Sequence, residues 1–452
     1  MRAFAARRAI AGSAALRRHV PVVSAAAAAC FARPVGTHVR PDRTVDGVVP
    51  DLSPQQPPSV AAAAKAAGVG DASGLRVALA AAIGDGHHDA VANAAAAAAI
   101  ANGHAEVLRL VLDMQPSGAP LFKETDAPSP EMCSAIATAV TEGHRGVVEV
   151  LAEAPGKLYL ARACHAQPTE DRYNSVTIAR LAAKSKAPAA MLRFVHQHMG
   201  GAAALKVKFE AGETVAHDCA GNMHGADGAA ALKALVELVG ADFVKPEGPD
   251  ADRKPTIALM AAMHGNFDAV RFAVETLKLP LFQPDGVPSV LSCAAALGHD
   301  DIVRYVIAQD GATERYITEN CDHGGETVAV MAAAHDQVEI LTILRDELPY
   351  GVKMLRASKD SQGLPLAFAA ARQGALGAVE FVHRLCGREA FMDSCLDGQP
   401  FTAAHLAVEF KQIAVLRYMK KHGLIEYDAV DFAGVTVRQI MQKRQLDDDL
   451  LD

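Results

Sequence analysis

Residues 402 to 423, TAAHLAVEFKQIAVLRYMKKHG, set out two short runs of helical spacing with hardly a loop between them. Thr402 offers a cap, Ala407 is small, Lys411 stands at the break, and Val415, Leu416 and Met419 bring the apolar face back. A helix this short is marginal in water, because nucleation is costly and only tertiary burial can hold it. The pattern therefore predicts neighbours of the same kind.

A frame taken from this stretch, with Thr402 as position one, recurs along the chain. Position one is small or proline, position six is tiny, position ten is a turn, and positions fourteen, fifteen and eighteen are apolar. Copies begin at Ala94, Ser134, Thr177, Thr214, Thr256, Ser289, Thr327, Pro365 and Thr402, with a half-copy at Thr436; successive offsets are 40, 43, 37, 42, 33, 38, 38, 37 and 34 residues. In the copy SVLSCAAALGHDDIVRYVI, Ala294, Gly298, His299, Ile302, Val303 and Val306 fall in their slots. Position six is the most uniform: Ala99, Ala139, Ala182, Cys219, Ala261, Ala294, Ala332, Ala370 and Ala407, departing only at Met441 in the half-copy. A small side chain there lets one helical hairpin pack closely against the next.

Other recurrences have their own causes. Thr177, Thr214, Thr256, Ser289, Thr327 and Thr402 can cap the first helix through a hydroxyl. Gly212, Gly325, Gly363 and Gly434, two residues earlier, permit the positive φ of a tight turn. Gly103, Gly143, Gly265, Gly298 and Gly374 at position ten end the first helix in a left-handed cap, so that the second helix runs back antiparallel.

The stretches GETVAHDCA from Gly212, PDGVPSVL from Pro284, GGETVAVMAA from Gly324, TAAHLA from Thr402 and DFAGVT from Asp431 are similar to the ankyrin repeat. The resemblance covers Ala94 to about Gln442 and implies an all-α solenoid of about nine helix-turn-helix repeats plus a C-terminal half-repeat. It also implies a structural role for His217 and His405, and hydrogen bonds from His104, His144 and His299 that tie adjacent turns together. The copies are longer than the family period of about 33 residues, which leaves room for extra loop residues. In the copy at Thr177, Lys186 and Pro188 crowd the turn, and Asp218 occupies a slot that is usually apolar.

Composition agrees with close helix packing: half the residues are apolar, aromatics are 5%, and Trp is absent. Residues 1–40 carry seven arginines and no acid, as a mitochondrial presequence does. The competing secretory reading of Val20 to Ala32 is weaker, because that stretch is Ala-dominated and follows two Arg pairs. Residues 41–60 read as a Pro-rich linker, 61–93 as an Ala-rich helical cap, 94–442 as the repeat array and 443–452 as an acidic tail. Without the opening segment the chain has 37 Lys and Arg against 52 Asp and Glu, a net charge of −15. Such a body is a poor general binder of nucleic acid. No apolar run reaches the roughly 18 residues of a membrane span.

Candidate chemistry is sparse. The eight cysteines are far apart and form no C-x-x-C pair, which predicts free thiols. His217 and Cys219 invite a thiol-enzyme reading, but both fall in structural slots of the frame. His87 with His88, His196 with His198, and His217, Cys219, His224 and Asp227 lack zinc-site spacing, so no metal is expected. Gly68, Gly70 and Gly74 miss the dinucleotide spacing and read as helix breakers; no cofactor is expected. Lys420, Lys421 and His422, and Lys443 and Arg444, read as helix ends, with Tyr418 and Tyr427 too few for a stacking platform. The expectation is a non-enzymatic scaffold or adaptor that binds other proteins, in the mitochondrial matrix, with the cytoplasm as the alternative. The rival function is a subunit of a mitochondrial RNA-bearing assembly, either ribosomal or RNA-processing.

Overall fold

The computed structural model describes residues 58–85, 88–115, 129–153, 178–208, 213–222, 227–244, 256–282, 288–319, 326–360, 363–392, 401–431 and 434–446. The presequence-like segment, most of the linker, Thr177, Gly212, Gly325, His87, His224 and the residues after 446 lie outside them. Among the described residues the chain is all-α with no strand, apart from isolated antiparallel bridges. It divides into two compact units, one ending at Leu279 and one beginning at Pro280.

The N-terminal unit opens with α1 (Pro58–Gly68) and α2 (Ala72–Asp85). Helical hairpins follow: α3 (His88–Ala101) with α4 (Ala105–Asp113), and α5 (Pro130–Glu142) with α6 (Arg145–Ala152). Next comes α7 (Ile178–Ala183) with α8 (Pro188–His198), trailed by the short α9 (Ala202–Leu205). Last are α10 (Val215–Ala220) with α11 (Asp227–Val239), and α12 (Ile257–Met263) with α13 (Phe267–Arg271). The first helices pack in chain order, α1 on α3, then α5, α7, α10 and α12, while α2 packs on α4, α4 on α6, α8 on α11 and α11 on α13.

The C-terminal unit repeats this plan. Its hairpins are α14 (Val290–Leu297) with α15 (Asp300–Ile307), then, after α16 (Glu314–Glu319), α17 (Val328–Ala334) with α18 (Val338–Glu347). The short α19 (Gly351–Ala357) leads to α20 (Leu366–Gln373) with α21 (Leu376–Cys386), and α22 (Glu389–Met392) leads to α23 (Ala403–Glu409) with α24 (Ile413–Lys421). A lone α25 (Val437–Arg444) closes the row. The first helices α14, α17, α20, α23 and α25 pack in sequence, and so do the second helices α15, α18, α21 and α24. The extra length of the copies in this unit is thus partly taken up by a third short helix, α16, α19 or α22.

The pattern of burial follows the frame. The position-six residues Ala99, Ala139, Ala182, Cys219, Ala261, Ala294, Ala332, Ala370 and Ala407 are all 0% exposed, and Met441, with no later unit to accommodate, is also buried. The second helices bury positions fourteen, fifteen and eighteen: Ile302, Val303 and Val306 in α15, and Val415, Leu416 and Met419 in α24. At roughly 1.5–3 kcal/mol for each large apolar side chain removed from water, these triplets hold helices that could not persist alone. Asp300 and Asp301 in the first turn of α15 and Lys420 and Lys421 in the last turn of α24 match the helix dipole.

Several boundaries differ from the sequence reading. Helix α1 begins inside the expected linker, at Pro58, because proline is compatible with a first helical turn. Ala94 and Ser134 lie within longer first helices; the cap of α5 is Ser129, whose hydroxyl accepts from Met132 N–H at 3.2 Å. The array continues past Gln442 to Arg444, and Leu446, assigned to the tail, is buried. Gly68 does end α1, whereas Gly74 lies inside α2.

Overpacking the row of methyl groups should be costly. Ala332→Leu is expected to lower the unfolding free energy in urea by about 1–3 kcal/mol, while Ala308→Leu, at an exposed position just after α15, should leave it nearly unchanged.

Candidate functional site

The repeated turns between first and second helices are the most constrained feature of each unit. Position ten has positive φ in most copies, glycine or not: Gly103 (80°), Gly143 (77°), Gly298 (77°) and Gly374 (78°), but also Asp336 (59°), Lys411 (54°) and Gln445 (59°), with Lys186 the exception. The N–H of position eleven donates to the carbonyl of position six: His144 to Ala139 at 2.8 Å, His299 to Ala294 at 2.9 Å, Gln337 to Ala332 at 2.9 Å and Gln412 to Ala407 at 2.8 Å. The N–H of position ten donates to position seven, as Lys411 does to Val408 at 3.1 Å. This is the Schellman arrangement, which satisfies carbonyls that a helix end leaves free.

Position-eleven side chains then reach back to the preceding repeat. His104 Nε2 lies 3.0 Å from the Gly68 carbonyl, while Gln337 donates to Ala296 O at 3.2 Å, Gln412 to Arg372 O at 3.0 Å and Asn266 to Ala220 O at 3.1 Å. In each case an amide or imidazole nitrogen meets an unpaired carbonyl at the end of the previous first helix. The same side chains lie against the previous turn: a Cβ on Gly298 would stand 2.4 Å from Gln337 Oε1, and one on Gly103 2.9 Å from the His144 ring. His144 packs in this place but its Nδ1 has no hydrogen-bond partner, so the expected tie fails there. The amides were not singled out from sequence; a long donor side chain directly after the turn residue is the signal that finds them.

Helix starts carry a second repeated motif. Thr214 N–H donates to His217 Nδ1 at 3.0 Å and Thr402 N–H to His405 Nδ1 at 3.0 Å, so both histidines close capping boxes at helix starts. Ser292 with Ser289 and Gln439 with Thr436 form the equivalent capping boxes, with Thr436 N–H donating to Gln439 Oε1 at 2.9 Å. Thr256 caps through its hydroxyl, accepting from Leu259 N–H at 3.1 Å, while Thr327 makes no side-chain cap. Ahead of two of these helices, Asp360 and Asp431 fold alike: Asp360 Oδ1 accepts from Leu364 N–H at 2.8 Å and Asp431 Oδ1 from Val435 N–H at 2.9 Å, with Gly363 and Gly434 at φ of 84° and 77°.

The unusual Asp218 has a partner. On α10 it meets Arg180 of α7, Nε to Oδ2 at 3.0 Å, and Lys184 at 3.1 Å, with Glu213 3.8 Å from the same guanidinium. Arg180, Asp218 and Glu213 side chains are about nine-tenths buried, so the acid in an apolar slot exists because the preceding repeat presents an arginine to it. Pro188 begins α8, and Lys186 N–H donates to Thr141 O at 2.8 Å, which turns the crowded segment into a contact with the previous hairpin.

The chemistry-bearing candidates are dispersed or enclosed. Cys219 is fully buried, and burial, then the charge of Asp218, pushes its thiol well above the ordinary range. Reactive cysteines need the opposite setting, exposed and electropositive. Cys133 and Cys293 are also buried, as thiols in no disulfide. His198 stacks on Phe194 at 4.7 Å between ring centroids. Among the described residues no three His, Cys, Asp or Glu side chains converge on a possible metal position, and no helix is long and apolar enough to cross a membrane. No protein-family model matches the chain, and no curated protein matches it significantly.

The turn geometry yields a paired expectation. Lys411→Gly should raise the unfolding free energy by up to about 1 kcal/mol by relieving a left-handed lysine, whereas Gly298→Ala should lower it by about 1 kcal/mol or more through strain and contact with Gln337; urea unfolding measures both.

His405 predicts a pH dependence. Its Nε2 lies 3.0 Å from Ala429 O and its Nδ1 accepts from Thr402, so the ring is held neutral, and burial keeps its pKa below the ordinary value. The stability it contributes is therefore complete above about pH 6.5 and is lost as pH falls below that, toward the folded pKa. His335 and His383 shift the same way. Thermal midpoints measured from pH 7.5 to 5 should fall less steeply in His405→Gln, because glutamine keeps the cap acceptor that Gln439 already provides in the last repeat.

Proposed function

We propose that the chain is a non-enzymatic ankyrin-repeat scaffold of about nine repeats and a C-terminal half-repeat, binding other proteins in mitochondria. The observation that carries the reading is the set of 0%-exposed position-six residues, one for each hairpin, on first helices that pack in chain order within each of the two units. It is supported by the recurrent turns, the His217 and His405 capping boxes and the Asp-x-x-Gly turns at Asp360 and Asp431. A surface ordered before binding loses little conformational entropy when a partner docks. Contacts spread over several repeats make single exposed substitutions mild and deletion of a whole repeat severe. The matrix assignment is supported by the acid-free, arginine-bearing opening segment.

The tagged full chain, expressed in its source cells and purified from isolated organelles, should fractionate with the mitochondrial matrix and retain a defined set of proteins after nuclease treatment. Release of that set by nuclease would overturn the scaffold in favour of an RNA-bearing assembly, and recovery in the cytosol would overturn the compartment. Cys219→Ala should cost at most about 1 kcal/mol of stability and leave the co-purifying set unchanged; loss of a measurable activity in that variant would instead mark a catalytic thiol.

A further inference from the structure

Charge is unevenly spread within the C-terminal unit. Residues 283–344 contain ten acids and two basic residues, whereas 345–446 contain eleven acids and fourteen basic residues. Several of the latter collect where second helices end and third helices begin. Arg345 closes α18, Lys353 and Arg356 lie on α19, Arg384 closes α21, and Lys421 closes α24.

Contacts join these positions into one strip. The Arg345 guanidinium lies 5.4 Å from the centroid of the Phe381 ring of α21, and Arg356 donates to Leu385 O at 3.0 Å. One repeat further on, His383 Nδ1 lies 2.9 Å from the Tyr418 hydroxyl of α24, and Arg388 donates to Gly423 O at 3.0 Å. Some of the charge is internally matched: Arg345 holds Asp346 at 2.6 Å and Arg388 holds Glu426 at 3.0 Å. Lys353, Arg356, Arg384 and Lys421 have no acid within ion-pair distance among the described residues.

At one end of the strip is a depression of about 560 Å³ between the close of α18 and α19. Leu348, Pro349, Val352 and Ala357 give it apolar walls, and Arg345, Lys353 and Arg356 line it with cations. Val352 is 42% exposed, a large apolar side chain left uncovered beside two unpaired charges. Glu314 acts on Tyr350 at the same depression, and the nearby Glu347 is taken up by Arg304.

We propose that this depression docks an acidic segment of a partner protein, one that carries a leucine-sized side chain between carboxylates. The apolar walls would take the leucine, while Lys353 and Arg356 receive the flanking carboxylates by charge-assisted hydrogen bonds. Arg384 and Lys421 extend the attraction along the strip. A protein segment fits better than nucleic acid, because Glu314, Asp346, Glu347 and Glu426 interrupt the strip and the body is acidic, so a continuous phosphate backbone would meet repulsion. The inference rests on the scaffold reading and adds the chemistry of its partner.

The test uses the full chain and a fluorescein-labelled peptide, GDDLLDDG, followed by anisotropy. Binding should weaken at least tenfold in Lys353→Glu/Arg356→Glu and also as salt rises from about 50 to 500 mM, because exposed charge pairs are screened. The amide peptide GNNLLNNG should bind at least tenfold more weakly than the acidic one. Since Arg356 also bonds Leu385 O, a second variant, Val352→Asp/Lys353→Glu, repeats the test without touching that contact; circular dichroism checks that both variants keep the wild-type helix content. Absence of binding by the wild-type chain, equal binding by the folded variants, or preference for a U-rich RNA oligonucleotide overturns the proposal. If the folded variants also retain the entire co-purifying protein set, this groove is overturned as the docking site while the scaffold reading stands; a set released by nuclease fails the scaffold itself.

Discussion

In most repeats one residue meets two demands at once. The carbonyl at position six accepts from the N–H at position eleven, closing the first helix, and the side chain of the same residue lies between neighbouring hairpins. Only a small group fits, because the first helices of successive repeats pack side by side through it. The bond fixes where the chain turns, and the packing fixes how near the next hairpin can come. Every other regular feature follows from that pair of requirements: the left-handed residue at position ten, the return of the second helix, and the burial of positions fourteen, fifteen and eighteen.

The turns show how the units manage polar backbone in an Ala-rich interior. A helix of seven or eight residues leaves at least as many backbone groups unpaired as it pairs. Those groups are met from both directions, by hydroxyl, imidazole or amide caps within a repeat and by Asn266, Gln337 or Gln412 from the following one. Neighbours thereby complete one another's hydrogen bonding as well as their apolar burial, so a single hairpin is left unsatisfied in two ways when isolated. Asp336 combines the roles: it takes the left-handed turn itself and accepts from Ala378 N–H of the next second helix at 2.7 Å.

Departures from the frame are compensated locally. Asp218 would be costly in a slot surrounded by small apolar groups, yet Arg180 and Lys184 reach it from the neighbouring repeat. A buried ion pair of this kind contributes little net stability relative to apolar residues of the same size, but strongly disfavours loss of either partner. The third short helices of the C-terminal unit are another departure. They lengthen the connection between repeats, and α19 brings Lys353 and Arg356 to the end of a second helix, where carbonyls are free and cations are favoured.

Periodicity alone located the hairpins, the position-six residues and the turn positions, because the same steric requirement must be met once per repeat and leaves its mark on the sequence. It gave no role to the ring nitrogens of His217 and His405; that each accepts from the Thr N–H three residues earlier is read from the folded helix start. What it could not supply was anything set by contact between repeats. Ala94 and Ser134 fit the frame yet lie inside longer helices, because the frame records the helix end, where packing is strict, and not the start. The partnership of Arg180 with Asp218, 38 residues apart, and the bonds from position-eleven amides to earlier carbonyls exist only once the hairpins are stacked. The same is true of the strip from Arg345 to Lys421: each cation alone reads as an ordinary helix end, and only the packing of α18 on α21 and of α21 on α24 sets those helices side by side.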